Sequence, residues 1–177
     1  MTTRFTTLMI AATLLCAAIA PAAAQQKPPL SPPAKAAATI GAATITIDYA
    51  QPSMRGRKIM GELVPYDKVW RTGANAATTL KTTAALEIGG TLVPAGTYTL
   101  YTLPGEKGWK LIINKQTGQW GTQYDQAQDL ARVDLKVGAT SAPVEQFAIT
   151  LAATGPSAGL LTMEWENTKL TAPFTVK

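Results

Sequence analysis

The side chains with the most varied chemistry in this sequence lie between residues 48 and 79. Three of the four arginines that follow residue 24 fall in this stretch, among aromatic residues and three glycines. A guanidinium offers five donors in a planar fork, an aromatic ring offers a flat apolar face, and a glycine lets the backbone approach a ligand closely. The stretch therefore predicts a site for a polar ligand, either a glycan or an anion. Its candidate ligand-binding residues are Arg55, Arg57, Lys58, Tyr66, Trp70, Arg71 and Asn75, with Tyr49 as a further wall.

The same side chains also suit a purely structural role, because a long connection between strands needs anchors of its own. Trp70 could close one end of the core, and Asn75 could cap a turn. Arg71 could donate to buried carbonyls or pair with Asp48. The sequence leaves the structural interpretation and the ligand-binding interpretation open.

The composition excludes several kinds of catalytic and metal-binding site. The chain has no histidine and a single cysteine, Cys16, so it can form neither a His-dependent catalytic unit, nor a His-ligated metal site, nor an intrachain disulfide. Its formal net charge of +5 is spread along the chain, which argues against a nucleic-acid partner. We predict no catalytic residue, no metal and no cofactor, and a small polar or glycan molecule as the partner.

An enzyme without histidine can still use carboxylates, and Glu164 and Glu166 are the best pair. On a strand, residues i and i+2 share a face with Cα atoms about 6.5–7 Å apart. The two carboxyls of an inverting glycosidase lie about 6.5–9.5 Å apart. A carboxylate-dependent hydrolase acting on envelope carbohydrate is therefore the alternative function. Any strand with a solvent face gives such pairs, with Met163 and Trp165 turned inward, so we favour a non-catalytic protein.

The segment from residue 118 to residue 134 holds two weaker candidates. Asp125, Asp129 and Asp134 could contribute oxygens to a Ca²⁺ site, but the sequence has no EF-hand loop, and pairing of an aspartate with Arg132 is the simpler interpretation. The aromatic pair Trp120 and Tyr124 could stack on a sugar ring or cover an edge of the core.

Short segments with alternating apolar residues make up most of the chain after residue 40. Gly89 and Gly90 stand between two of them and predict a tight hairpin, because both can adopt positive φ. Apart from one or two helical turns in residues 123–130, no segment has a helical period. Predicted strands are 44–49, 86–88, 91–93, 97–103, 109–115, 131–137, 146–152, 160–166 and 170–176. Roughly nine short strands predict an all-β fold, a single antiparallel β-sandwich of jelly-roll type with short or no helices, although spacing alone does not separate it from an immunoglobulin-like arrangement.

The N-terminal region predicts export. Arg4, an uncharged apolar run over residues 8–20 and the Ala22-Ala23-Ala24 sequence are typical of a signal peptide, so we expect cleavage after residue 24. A Pro-rich tether at 25–36 and the β-sandwich domain at 37–177 would follow. Lipidation at Cys16 is less favoured, because the preceding residues are not small. We expect a periplasmic or extracellular protein without a transmembrane span, since no second apolar run of about 20 residues exists.

Three blocks of the sequence carry a resemblance to a known family. They are PSMRGRKIMGELVPYDKVWRTGANAAT (52–78), PAGTYTLYTLP (94–104) and WKLIINK (109–115). The sequence resembles a family of exported bacterial proteins catalogued as Domain of Unknown Function 2911, from about residue 31 to the C-terminus. The resemblance implies a secreted or periplasmic β-rich domain and assigns no role to any residue.

Overall fold

The computed structural model describes residues 29–177 and confirms the all-β prediction. A single turn of 3-10 helix at Gln126–Gln128 lies where one or two helical turns were predicted. The strands are β1 (Pro33–Ile40), β2 (Ala43–Ala50), β3 (Thr78–Thr82), β4 (Leu86–Ile88), β5 (Thr91–Val93), β6 (Gly96–Leu103), β7 (Trp109–Asn114), β8 (Asp129–Ala153) and β9 (Ala158–Val176).

The nine strands form one antiparallel sheet in the order β1-β2-β3-β6-β7-β8-β9-β4-β5. β3 pairs directly with β6, with Thr78 opposite Leu100. The β4–β5 hairpin falls between these two strands in the chain, yet it pairs with the end of β9 at the far side of the sheet. The prediction of a tight turn at Gly89 and Gly90 is confirmed, since both residues have positive φ. The finer prediction of a jelly-roll sandwich stays a prediction.

Four predicted strands merge into two long ones. β8 contains the predicted strands 131–137 and 146–152, and β9 contains 160–166 and 170–176. The β8–β9 register shifts twice between Ala139 and Ala148, because bulges absorb the turn-like residues between the predicted strands.

β1 and β3 are strands that the sequence pattern did not predict. Residues 33–40 carry proline and four alanines, which are poor strand formers, and pairing along the full length of β2 makes them a strand. β1 therefore overlaps the end of the predicted tether at 25–36. β3 lies at the end of the arginine-rich stretch, where Thr79 pairs with both β2 and β6.

One continuous apolar core lies inside the curved sheet. β2 contributes Ile45 and Ile47, which are fully buried, and β7 contributes Leu111 and Ile113. β1 also lies close to β8, although the two strands are not neighbours in the sheet order. The sheet therefore curves until strands that are distant in its order meet.

The predicted signal peptide, residues 1–24, lies outside the described residues, as do the first four residues of the predicted tether. Within residues 29–177, no helix has the length and apolar character needed to cross a bilayer.

Candidate functional site

A cleft of about 560 Å³ opens beside the connection between β2 and β3. Its walls come from residues 52–65, from the turn at 69–75, from residues 121–124, and from Leu30 and Ser31 at the start of the described chain. β6 and β9 each add one aromatic residue, Tyr101 and Trp165. The cleft thus brings together five of the seven predicted site residues, namely Arg55, Arg57, Trp70, Arg71 and Asn75.

Trp70 is both an anchor of the connection and a wall of the cleft. Its backbone exchanges two hydrogen bonds with Thr102 on β6, at 2.8 and 2.9 Å. Its ring stacks on Trp165 with a centroid distance of 5.6 Å and an interplanar angle of 20°, and it meets the edge of Phe147 at 5.0 Å. The indole is only half-buried, so it covers the core and also forms an aromatic floor for the cleft.

The turn that carries Arg71 has an unusual backbone. Thr72, Gly73 and Asn75 have φ values of 52°, 149° and 61°, and the left-handed region is costly for a β-branched residue such as Thr72. The turn is held by buried hydrogen bonds, since Thr78 Oγ1 donates to the Thr72 carbonyl at 2.8 Å and Thr72 Oγ1 lies 3.2 Å from Thr102 Oγ1. Strain that is held in this way concentrates at functional sites.

Arg71 lies in this turn with most of its guanidinium uncommitted. Nε donates to the Gly73 carbonyl at 3.3 Å, and within residues 29–177 the two terminal nitrogens make no hydrogen bond. Its aliphatic stem packs against Gly121, where an added Cβ would lie 2.9 Å from Arg71 Cδ. The predicted pairing with Asp48 is wrong, because Asp48 pairs with Lys35 at 3.1 Å.

Arg55 and Arg57 lie on the other wall and are tied to backbone carbonyls. Arg57 donates from Nε to the Met54 carbonyl at 2.9 Å and from Nη2 to the Ser53 carbonyl at 2.7 Å. Arg55 has a φ of 51° and donates from Nη2 to the Leu30 carbonyl at 2.9 Å. These bonds orient the guanidinium groups without neutralising their charge.

The cleft is electropositive. Three arginines line it and no aspartate or glutamate does. Across residues 29–177, none of these arginines forms a salt bridge, whereas Arg132, which lies outside the lining, pairs with Asp129 at 2.8 Å. The nearby Glu145 accepts from the Arg55 backbone N–H at 2.9 Å. A concave surface with several unneutralised cations attracts anions.

Tyr101 and Tyr124 are cleft residues that were not among the seven predicted ones. Their rings meet edge to face at 4.9 Å. Tyr101 donates its hydroxyl to the Gln123 carbonyl at 2.8 Å, and Tyr124 donates its own to Asp129 Oδ2 at 2.6 Å. Tyr124 was proposed from sequence as a sugar-stacking residue, whereas the strand pattern around Tyr101 gives no sign of a ligand site.

Burial raises the pKa of both tyrosines and favours their neutral form. Burial, followed by the hydrogen bond to Asp129, raises the pKa of Tyr124 to about 12. Burial likewise raises the pKa of Tyr101. The side chains therefore present uncharged rings to the cleft.

Lys58 and Tyr66, the other two predicted site residues, lie outside the cleft lining, and so does Tyr49, which was predicted as a further wall. Lys58 is exposed and lies 4.0 Å from Glu62. Tyr66 packs on Gly61, where an added Cβ would lie 3.0 Å from the ring. Tyr49 is buried and accepts from the Ile149 backbone N–H at 2.9 Å. Tyr49 and Tyr66 thus pack within the fold beside the cleft, whereas Lys58 is a surface residue.

The carboxylates of the alternative hydrolase interpretation have structural partners. Glu164 pairs with Lys169 at 3.1 Å. Glu166 accepts from the backbone N–H groups of Ile59 and Met60, at 3.3 and 3.0 Å. Neither carboxylate lines the cleft. The structure therefore does not bring the pair together around a common space.

The other candidate residues in the segment 118–134 do not form a common site either. Asp125 accepts from the Ala127 backbone N–H at 2.9 Å and so caps the 3-10 turn. Asp129 pairs with Arg132, as the simpler interpretation predicted. Trp120 is 53% exposed and does not line the cleft.

The fold and the cleft define an all-β protein with an arginine-lined, aromatic-floored surface site. The chain belongs to the family described as a protein of unknown function, DUF2911, which matches residues 31–174. No curated protein and no solved structure matches the chain.

Proposed function

We propose that this protein is a non-catalytic binding module of the bacterial envelope, and that its cleft binds a polar ligand through an anionic group. The observation that carries the proposal is Arg71, whose terminal nitrogens are uncommitted within residues 29–177 and face a cleft without carboxylates. A guanidinium with two adjacent free donors binds a carboxylate or phosphate in a bidentate manner. Export of the protein is the expectation from residues 1–24.

The architecture around Arg71 favours binding over a purely structural role. An arginine that anchors a fold directs its donors to buried carbonyls or to an acidic partner. Arg71 directs only Nε to a carbonyl, and its stem is held by Gly121. The side chain is thus positioned by packing while its charge remains available.

The lining also favours binding over hydrolysis. General acid–base catalysis needs a titratable group within reach of the reacting bond. The cleft contributes arginines, neutral tyrosines, hydroxyls and an amide, and Glu164 and Glu166 are engaged elsewhere. We therefore assign no reaction to the cleft.

The test compares wild-type protein with Arg71→Gln by isothermal titration at low ionic strength. The probes are inorganic phosphate, benzoate and galacturonate. We expect at least one probe to bind the wild-type protein, and the substitution to weaken its binding about tenfold or more, because a charge-assisted hydrogen bond contributes ~1.5–3 kcal/mol. Lys81→Gln is the matched control, since it removes one exposed positive charge on β3 outside the cleft.

Three results would overturn the proposal. The first is that no probe binds. The second is that Arg71→Gln and Lys81→Gln weaken binding equally, which would attribute the effect to net charge alone. The third is that circular dichroism shows Arg71→Gln to be unfolded. That result would make Arg71 an anchor.

A further inference from the structure

We infer that the ligand of this cleft is an acidic saccharide, with its ring on Trp70 and its carboxylate on Arg71. The inference rests on the proposed function and specifies its ligand class. It follows from three properties of the cleft, namely its size, the position of its aromatic floor and the polar groups that remain uncommitted.

The size of the cleft exceeds what a simple anion needs. Pockets of roughly 300–1,000 Å³ hold organic ligands of many atoms. The cleft, at about 560 Å³, lies within that range. A phosphate or carboxylate bound at Arg71 would leave most of this volume to water, so the cleft has room for a larger molecule that carries the anionic group.

The aromatic floor lines the same cleft as the arginines. On one side, Arg71 packs against Gly121, whose backbone N–H donates to the Asn75 carbonyl at 3.0 Å. On the other side, Trp165 donates to the Glu145 carbonyl at 3.2 Å, and the carboxylate of Glu145 accepts from the backbone N–H of Arg55. Trp70 stacks on Trp165, and both indoles line the cleft. A ring packed on the exposed part of the Trp70 indole would therefore share the cleft with the guanidinium groups of Arg55 and Arg71.

Neutral hydrogen-bonding groups surround this floor and are free within residues 29–177. They are the hydroxyls of Ser31, Ser53 and Thr122, the side-chain amide of Asn75 and the indole N–H of Trp70. By contrast, the hydroxyls of Tyr101 and Tyr124 are committed to the Gln123 carbonyl and to Asp129. Hydroxyls and an amide both donate and accept, which matches a ligand that carries several hydroxyl groups.

A saccharide that carries a carboxylate combines these requirements. The C–H face of a pyranose ring is apolar and can pack on an aromatic face, while its hydroxyls project from the rim. An alkyl or aryl anion would use none of the serine, threonine and asparagine groups. A neutral sugar would not use the charge of Arg71.

The experiment titrates the full mature chain with digalacturonate, its dimethyl ester, cellobiose, benzoate and inorganic phosphate, with tryptophan fluorescence and calorimetry as readouts. We expect digalacturonate to bind most tightly and its neutral ester about tenfold more weakly or worse. Trp70→Phe should weaken digalacturonate binding several-fold more than it weakens phosphate binding. Asn75→Gly, which keeps the core intact, should also weaken digalacturonate binding.

The outcomes separate this inference from the proposed function. If benzoate or phosphate binds in an Arg71-dependent way and digalacturonate binds no better, the saccharide inference is overturned and anion binding stands. If the ester binds as tightly as the acid, the acidic part of the inference is overturned. If none of the anions binds, both proposals are overturned.

Discussion

The three arginines of the cleft differ in which guanidinium nitrogens are still available. Arg57 uses two nitrogens on the carbonyls of its own turn, and Arg55 uses one on Leu30. Arg71 uses only Nε, with both terminal nitrogens uncommitted in the described chain. The charges are equal, but directional bonding to a ligand falls mainly on Arg71, and the other two arginines add attraction at longer range.

Substitutions of Asn75 test whether its side chain contributes to the stability of the turn, to ligand binding, or to both. Its φ of 61° suits asparagine and glycine, whereas alanine in this region costs about 1–2 kcal/mol. We expect Asn75→Gly to retain stability and weaken ligand binding, and Asn75→Ala to lower both. Urea denaturation measures the stability, and calorimetry with digalacturonate measures the binding. Equal binding by Asn75→Gly and wild-type protein would restrict Asn75 to the turn.

The tyrosines of the cleft predict a pH dependence in the alkaline range. Because the pKa of Tyr124 is raised to about 12 by burial and by Asp129, the folded chain holds this proton more tightly than the unfolded chain. The resulting stability is complete below pH 10 and is lost as pH rises toward 12. Absorbance at 295 nm should show a last tyrosine ionisation near pH 12 that is missing in Tyr124→Phe. Ionisation of every tyrosine near pH 10 would contradict this prediction.

At the scale of elements, β9 packs against the core on one face and holds the connection between β2 and β3 from the other. Met163 and Trp165 face the core, and Glu164 and Glu166 face away from it. Glu166, with a φ of 54° beside a bulge, reaches the backbone N–H groups of Ile59 and Met60. The carboxylate thus holds the segment that presents Arg55 and Arg57.

Replacing the two glutamates separately should distinguish an anchor from a surface ion pair. We expect Glu166→Gln to destabilise the fold by about 1–3 kcal/mol, because at least one partly buried N–H loses a charged acceptor. Glu164→Gln should change stability by less than about 1 kcal/mol, since its partner Lys169 is solvent-accessible. Urea denaturation measures both. Equal effects of the two substitutions would contradict the anchoring role of Glu166.

Local pattern predicted the strands that carry their own signals. The hairpin of β4 and β5 follows from Gly89 and Gly90, and β2, β6 and β7 follow from alternation and flanking turns. β1 and β3 could not be predicted in this way, because their strand structure depends on pairing with β2, a non-local contact. The bulges that merge the halves of β8 and β9 are likewise invisible to local pattern.

At the scale of the molecule, residue type predicted part of the cleft. The residues Arg55, Arg57, Trp70, Arg71 and Asn75 were grouped from their type and spacing, and all five line one cleft. Tyr101 and Trp165 come from strands far away in sequence and have the burial pattern of core residues, so only the fold brings them to the cleft. Lys58 and Tyr66 have suitable chemistry, but the local turns direct them elsewhere.

Export is a prediction about the whole chain. Expression of residues 1–177 in a Gram-negative host should give a periplasmic product whose intact mass corresponds to a chain that begins at Gln25, because cleavage is expected after Ala24. Replacing Ala22 and Ala24 with bulky residues should block processing. An unprocessed cytoplasmic product from the native sequence would contradict this prediction.

The most direct test of an anion-binding cleft is NMR of the four indole N–H signals in the presence of digalacturonate, benzoate and phosphate. Trp70 and Trp165 line the cleft, whereas Trp109 and Trp120 do not. We predict that a bound anion shifts the Trp70 signal, leaves Trp109 and Trp120 in place, and has no such effect on Arg71→Gln. A Trp70 signal that no anion moves, or that moves equally in Arg71→Gln, would contradict the account.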